Sequence, residues 1–259
     1  MAISKDKYDV SVIIPSFNQG QFIEDCLRSV FETKLHPQVI VMDGGSTDNS
    51  LNILKKWDRH LYYWQHQPDG GQAAAINAGM RLATTPYCCW INSDDFYLND
   101  GIEKLINTIS SSNAAAVYGK VYDEFHHNKK RKAVWVEPFN FDRLAVRCII
   151  SQPGVMIRRK CWEAVGGLDE NLHMALDYDL WWKLSQVDDG MHFLDDFVAI
   201  NRVHAETKTN LNRQLHYREA MGVVKGHYGR VPLKWYWAQP WSIWIKYLKN
   251  RFWNLCSKE

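Results

Sequence analysis

Apolar and polar positions along the first ninety residues follow two alternating rhythms. Val10-Ser11-Val12-Ile13-Ile14 is a β-branched run halted by Pro15, which predicts a buried strand. From about Gln21 to Thr33 the apolar residues Phe22, Ile23, Cys26, Leu27 and Val30 recur at helical spacing. Val39-Ile40-Val41-Met42 predicts a second buried strand ending at Asp43, and "GGSTDNS" after it offers Ser46, Thr47 or Asp48 as a helix cap. Leu51, Ile53, Leu54 and Trp57 predict the next helix. Leu61 to Gln65 predicts a third strand, "PDGG" a turn, Gln72 to Leu82 an Ala-rich helix, and Tyr87 to Ile91 a fourth strand.

Strand, helix and strand in this order imply a mostly parallel sheet joined by right-handed crossovers. Ligands of such sheets bind beyond the carboxyl ends of the strands. Pro15-Ser16-Phe17-Asn18, Asp43 and Asn92-Ser93-Asp94-Asp95 all fall at those ends, so three polar clusters are expected on one edge. The acids of "CCWINSDD" require a compensating partner, whether a metal ion, a substrate or the start of a helix near Leu98 to Ile109.

The second half is less regular. Ala115 to Val121 and Lys132 to Val136 read as strands around the polar turn "DEFHHNKK", expected to be a solvated hairpin tip. A strand, a short helix at Arg159 to Val165 and a Gly-Gly turn follow. A helix is expected from Asp177 to Gln186 and a strand from Phe193 to Arg202. No repeat or low-complexity linker interrupts the chain.

Composition adds three constraints. With 259 residues, 46% hydrophobic and 23% charged, the chain can bury a sizeable core. A formal net charge of +2 gives no electrostatic reason to expect nucleic acid as a partner. None of the six cysteines forms a CxxC pair or zinc spacing, and Cys88-Cys89 reads as two small buried hydrophobes, which suits a reducing compartment. The opening "MAISKDKYDV" is too polar for a secretory signal, and no run of 18 apolar residues occurs, so a cytoplasmic location is expected.

Four stretches, "VSVIIPSFNQGQFIEDCLRSV", "VIVMDGGSTDNS", "DGGQAAAINAGMRLATTPYCCWINSDD" and "GLDENLHMALDYDLWWKL", stand in this order. Together they resemble a family 2 glycosyltransferase of the GT-A fold, of the kind that builds bacterial surface polysaccharide or O-antigen. The resemblance covers roughly residues 9 to 205.

It implies an inverting transfer of a sugar from a nucleoside diphosphate, UDP by expectation, to an acceptor hydroxyl. It implies Mn2+ or Mg2+ as cofactor, acting as Lewis acid on the leaving diphosphate. The family's DxD triplet falls on Asn92-Ser93-Asp94, with Asn in place of the first acid. Asp94 is then the metal ligand, Asp95 a supporting carboxylate or helix cap, and His204 in "NRVHAETKT" a further ligand. Pro15, Ser16, Phe17 and Asn18 resemble the first base-contacting segment. Asp43 resembles the carboxylate that accepts from a base imide. Gly71 and Gln72 fall beside base and ribose, with Asn77 supporting their loop, and Asn92 and Ser93 belong to the same donor site. Gln152 falls beside the donor sugar.

The family's ED-type motif maps to Leu176-Asp177, so Asp177 is the expected general base, although the motif's Glu is absent. Asp179 is read as a cap of the same helix. Asn92 and Leu176 keep one alternative open, a degenerate protein that binds nucleotide sugar without transferring it. A sugar-nucleotide pyrophosphorylase would need a Gly-rich basic loop where Pro15-Ser16-Phe17-Asn18 stands.

Residues 1–230 are expected to form the GT-A domain and 231–259 a Trp-rich extension that holds five of the 12 tryptophans. Trp241, Trp244, Ile245, Leu248, Phe252 and Leu255 fall on one helical stripe flanked by Lys246, Lys249 and Arg251. Such a stripe packs against the domain or a second subunit, or lies in a membrane interface. Relatives that act on polyprenyl-diphosphate-linked saccharides favour a peripheral contact at the inner face of the cytoplasmic membrane.

Overall fold

The computed structural model describes residues 9–204 and 212–239. Its first half is the expected α/β unit. Strands β1 (Val10–Ser16), β2 (Pro37–Asp43), β3 (Tyr63–His66) and β4 (Tyr87–Trp90) are linked by helices α1 (Ile23–Phe31), α2 (Ser50–Trp57) and α3 (Gln72–Leu82). The strands lie parallel in the order β3-β2-β1-β4. Their register pairs Ser16 with Asp43 and Asp43 with His66, which puts three polar side-chain positions in one row at the carboxyl edge.

Alternation along the strands divides the core between the two faces of the sheet. Ile13, Ile40, Met42, Cys88 and Trp90 pack on one face with Ile76, Trp181 and Trp182. Val12, Ile14, Val39, Val41 and Cys89 pack on the other with Leu27, Ile102 and Leu105. Both faces are therefore buried, the condition that makes parallel strands read as continuous apolar runs. At Gly79 an added Cβ would come within 2.7 Å of Ile13 Cγ2, so α3 rests directly on β1.

The second half widens the sheet to nine strands. It adds β5 (Phe96–Tyr97), α4 (Gly101–Ser110), β6 (Ala116–Phe125), β7 (Arg131–Ala133) and α5 (Phe141–Val146). Then come β8 (Val155–Arg158), α6 (Arg159–Ala164), α7 (Leu176–Leu184), β9 (Met191–Val203), α8 (Arg213–Tyr228) and α9 (Leu233–Gln239). The sheet order is β3-β2-β1-β4-β8-β6-β9-β5, with β7 paired to β6. β6 and β9 run parallel, whereas β5, β7 and β8 are antiparallel to their neighbours. The sheet is thus parallel from β3 to β4 and mixed beyond β4.

Sequence periodicity did not predict α5 or α8. Helix α9 packs through Trp235, which is buried beside Tyr178 and Tyr217 and donates from Nε1 to the carbonyl of Ala145. The start of the aromatic segment therefore lies against α7, α8 and the end of α5. The stripe from Trp241 to Leu255 lies outside the described residues.

Candidate active site

A cavity of about 620 Å³ opens at the carboxyl edge of the first four strands. That size suits a nucleotide-sized ligand. Its walls come from the end of β1 (Pro15, Ser16, Phe17), the β3–α3 loop and start of α3 (Asp69, Gly71, Gln72), the end of β4 (Asn92 to Asp95) and the start of α7 (Leu176, Asp177).

At the β1 end, the residues after the strand are pinned to the β2–α2 loop. Asn18 adopts a left-handed backbone with φ of 53°. Its N–H donates to Ser46 Oγ at 2.7 Å, and its Oδ1 accepts from the Thr47 N–H at 2.8 Å. One turn on, the Gly20 N–H donates to Asp48 Oδ2 at 2.7 Å.

Asp43 sits inside this junction and is fully buried. Its carboxylate accepts from the backbone N–H groups of Gly45 and Ser46 and from Ser46 Oγ, and lies 2.7 Å from His66 Nδ1. Three of these partners crowd Oδ1 and only Ser46 Oγ meets Oδ2, so the carboxylate braces its own loop and keeps acceptor capacity on Oδ2. Asp43, expected to meet a base imide, is not among the residues that line the cavity. The carboxylate that borders the cavity here is that of Asp69, whose Oδ1 accepts from the Gly71 N–H at 2.7 Å. Gly44 makes room for it: a Cβ on Gly44 would stand 3.0 Å from Asp69 Oδ2.

Two polar atoms of the cavity lining, Ser16 Oγ and Gln19 Oε1, are buried and lack a hydrogen-bond partner among the described residues. Orphaned buried polar atoms in a cleft mark a place where a ligand or water completes the bonding. Asn77 is not part of the lining. Its amide bonds both backbone groups of Leu168 and the carboxylate of Glu170, so it clamps the segment before α7 rather than the loop at Gly71.

At the β4 end, Asn92 is the centre of a chain of amides. Its Oδ1 accepts from Gln72 Nε2 at 2.8 Å. Its Nδ2 points at Gln152 Oε1 (3.4 Å) and Asp95 Oδ2 (3.3 Å), and Gln152 Nε2 donates to the carbonyl of Trp90 at 2.7 Å. Asp94 borders the cavity, and its Oδ2 lies 2.9 Å from His204 Nε2. Asp95 is buried, and its Oδ1 accepts from the Arg202 N–H at 2.9 Å. Burial first, and the neighbouring Asp94 charge second, hold its carboxyl well above the usual range. Neither acid caps α4, because strand β5 intervenes and the residue before the helix is Asp100.

Among the described residues no group of three or more His, Cys, Asp or Glu is arranged to hold a metal. The Asp94–His204 pair alone supplies a carboxylate and an imidazole. A carboxylate completed by phosphate oxygens and water is the arrangement magnesium-type sites adopt, and the imidazole beside it adds one nitrogen donor.

Asp177 stands on the first turn of α7, half-buried, at the cavity wall. The next acid on the helix, Asp179, turns away from the cavity. It pairs with Lys183 Nζ and His227 Nε2, both at 2.7 Å. Burial alone would raise its pKa, but hydrogen bonds from His227 and Lys183 prevail and hold it below the ordinary value. Asp179 therefore ties α7 to α8 instead of capping its own helix. Among residues that sequence reasoning did not single out, Gln19, His173, Met174 and Asn201 also line the cavity.

A cleft at a parallel-sheet edge, bordered by the strand-end carboxylate of Asp94 and the helix-borne Asp177, sits in a GT-A-like α/β fold. The chain belongs to glycosyl transferase family 2, whose family model matches residues 11–158, more than half of its length. An uncharacterized glycosyltransferase of Rickettsia typhi is 25% identical over 228 residues, covering 82% of this chain and 70% of that protein. One from Rickettsia felis is 26% identical over 209 residues, covering 76% of this chain but 34% of its own length. The hyaluronan synthase of Pasteurella multocida is 25% identical over 211 residues, covering 79% of this chain and 21% of the synthase. The chain thus spans about a third of one such relative and a fifth of another. Among solved structures, S. aureus TarS 1-349 in complex with UDP-GlcNAc superposes with a TM-score of 0.70 at 17% identity, covering 85% of this chain and 66% of that one. The mannosyltransferase PcManGT from Pyrobaculum calidifontis, in complex with GDP-Man and Mn2+, superposes with a TM-score of 0.62 at 18% identity, covering 84% and 65%. At these identities the likeness is one of fold.

Proposed function

We propose that this chain is an inverting, metal-dependent glycosyltransferase that moves a sugar from a UDP-type donor to a saccharide hydroxyl. One observation carries the reading: Asp94, beside His204, and Asp177, from the other half of the chain, border the same cavity. A donor with its base against Pro15, Ser16 and Phe17 directs its diphosphate toward Asp94 and its sugar toward Gln152, Leu176 and Asp177. Asp69, an acceptor-only carboxylate, stands at the base end, which suits the imide N–H of uracil. TarS was solved with UDP-GlcNAc and with UDP, which supports the same donor class.

Asp94 and His204 would hold Mn2+ or Mg2+, which supplies charge neutralisation for the departing diphosphate when bound. Asp177 accepts the proton of the acceptor hydroxyl as its oxygen attacks the anomeric carbon. One displacement then inverts that centre. Gln72, Asn92 and Gln152 form a neutral floor that orients the hydroxyl-rich part of the donor. Leu176, where the resembled motif has Glu, gives the sugar end an apolar contact.

For the acceptor we propose a saccharide in surface-polysaccharide synthesis, with a polyprenyl-diphosphate-linked form the preferred case. No helix among the described residues is long and apolar enough to cross a membrane. A peripheral contact at the inner face of the cytoplasmic membrane is supported by the exposed Leu233, Tyr236 and Trp237 of α9. These residues precede the Trp- and Lys-rich stretch to Leu255. Residues 231–259 are then the membrane-facing extension of a 1–230 catalytic domain.

The direct test measures release of the nucleoside diphosphate from a panel of nucleotide sugars by the purified chain with manganese. Turnover of a uridine donor that stops on chelation is expected. No hydrolysis of any donor, even with protein in large excess, would instead favour the degenerate binding protein. Co-sedimentation with anionic liposomes, with and without residues 231–259, tests the membrane contact, and equal partitioning of the two forms sinks it.

A further inference from the structure

The start of α7 poses a physical problem. The first N–H groups of a helix have no partner within the helix. Here the residue before the helix is Ala175, which has no side-chain acceptor to offer. The deficit falls on the segment that forms the cavity wall, since His173, Met174, Leu176 and Asp177 all line it.

The N–H groups that lead into the helix, from His173 to the cap residue Ala175, find their partner on α8. The carboxylate of Glu219 accepts from three consecutive backbone N–H groups. His173 N–H lies 3.1 Å from Oε1 and 3.0 Å from Oε2, Met174 N–H 2.7 Å from Oε2, and Ala175 N–H 3.0 Å from Oε2. A negative charge at this point also matches the positive end of the helix dipole. Helix α8 is itself fixed to the domain. Ala220 and Val224 are buried, His227 pairs with Asp179, and the His227 ring stacks on Trp182 at 5.8 Å with planes 2° apart. Glu219 therefore stands on a braced element and reaches across to hold the backbone that leads into α7, while within the helix Asp177 Oδ1 accepts from the Tyr178 N–H at 2.8 Å.

We infer that Glu219 is a positioning residue for the reaction, which fixes the backbone from His173 to Ala175 and through it the place of Asp177 beside the acceptor. This inference rests on the reading of Asp177 as the base. Glu219 is not among the residues lining the cavity and need not contact donor or acceptor. Its effect falls on the geometry of the chemical step and not on the nucleotide end, which is built from β1, β4 and α3 about the opposite wall.

The test uses the full chain as wild type, Glu219→Ala, Glu219→Gln, Asp177→Asn and the Asp177→Asn/Glu219→Ala double variant. Calorimetry reads UDP affinity, product release reads kcat with the donor the wild type turns over fastest, and hydrogen–deuterium exchange reads residues 172–180. In Glu219→Ala, UDP affinity is expected within about twofold of wild type while kcat falls by about 10- to 100-fold, as for a small misplacement of a reacting group. The amides of 173–175 exchange faster, with β1 to β4 unchanged. Glu219→Gln keeps one acceptor oxygen and recovers part of both rate and protection. The double variant is no slower than Asp177→Asn. Unchanged exchange at 173–175, equal losses of UDP affinity and turnover, or additive losses in the double variant would each overturn the inference. A wild type that turns over no nucleotide sugar defeats the functional reading instead, and the exchange comparison still decides whether Glu219 holds the helix start.

Discussion

Asp94 and His204 stand 110 residues apart in the chain and 2.9 Å apart in space. One follows β4 and the other follows β9, so the mixed half of the sheet brings the second to the first. The imidazole is held in place by more than this contact: its ring lies 4.8 Å from that of Phe22, tilted by 46°, and its side chain is 7% exposed. A fixed imidazole beside a cavity-facing carboxylate is the arrangement on which the proposed cation site rests.

Metal dependence should therefore track this pair. With UDP present, Mn2+ is expected to raise the melting temperature of the wild-type chain and leave that of Asp94→Ala unchanged. His204→Ala should weaken the apparent Mn2+ affinity by about tenfold or more, since loss even of groups that only orient a ligand costs that much. A full Mn2+-dependent shift in Asp94→Ala would remove it as ligand.

Asp177→Asn preserves size and most hydrogen bonds but cannot take a proton. It is expected to bind UDP as wild type does and to lose about 10²- to 10⁴-fold in kcat, the range for removing a positioned general base. Calorimetry and product release together check this, and wild-type-like turnover would exclude Asp177 as the base.

Restoring the resembled motif should do harm in this chain. Asn92 Nδ2 faces Asp95 Oδ2 and Gln152 Oε1. Asn92→Asp would replace that donor with a charged acceptor next to a buried carboxyl already burdened by burial and by Asp94. The expected cost is about 1–3 kcal/mol of stability from unsatisfied polar groups, read as a lower melting temperature, with no gain in Mn2+ affinity. Tighter metal binding at unchanged stability would show that the amide chain is dispensable.

Acid should loosen α7 from α8. The pKa of Asp179 is lowered on folding: burial pushes it up, but His227 and Lys183 push it further down. A depressed carboxyl contributes stability that is complete above its unfolded pKa, about 4, and is lost as pH falls through the lower folded value. Melting temperature should therefore drop below about pH 4, and Asp179→Asn should flatten that part of the profile while lowering stability at neutral pH. An identical acid limb in the variant would assign the transition to other carboxylates.

How far the sequence could be read follows the reach of each interaction. Val12, Ile14, Val39 and Val41 announce their strands because burial on both faces leaves continuous β-branched runs. Helix α8 stays hidden because its Gly222 and Gly226 are poor helix formers and its buried stripe is short, Ala220, Val223 and Val224 in a helix of 16 residues. Glu219 is invisible for a different reason, since its partners lie 44 to 46 residues earlier and are backbone groups of no particular sequence. Asp43 shows the limit of a motif: nothing in its spelling reveals that the carboxylate braces its own turn, which only the donors gathered around it in the fold make visible. Asp177 and Asp179 are likewise two turn-start acids on paper, separated in space by what α8 brings to the second.

The staple between Asn18 and the Ser46–Thr47 turn has a thermodynamic corollary. Segments already locked by hydrogen bonds lose little freedom when a ligand docks on them, so binding at that end would carry almost no ordering cost. Under the proposed function such a rigid cradle would discriminate among bases by shape, and any tolerance among donors would lie at the sugar end.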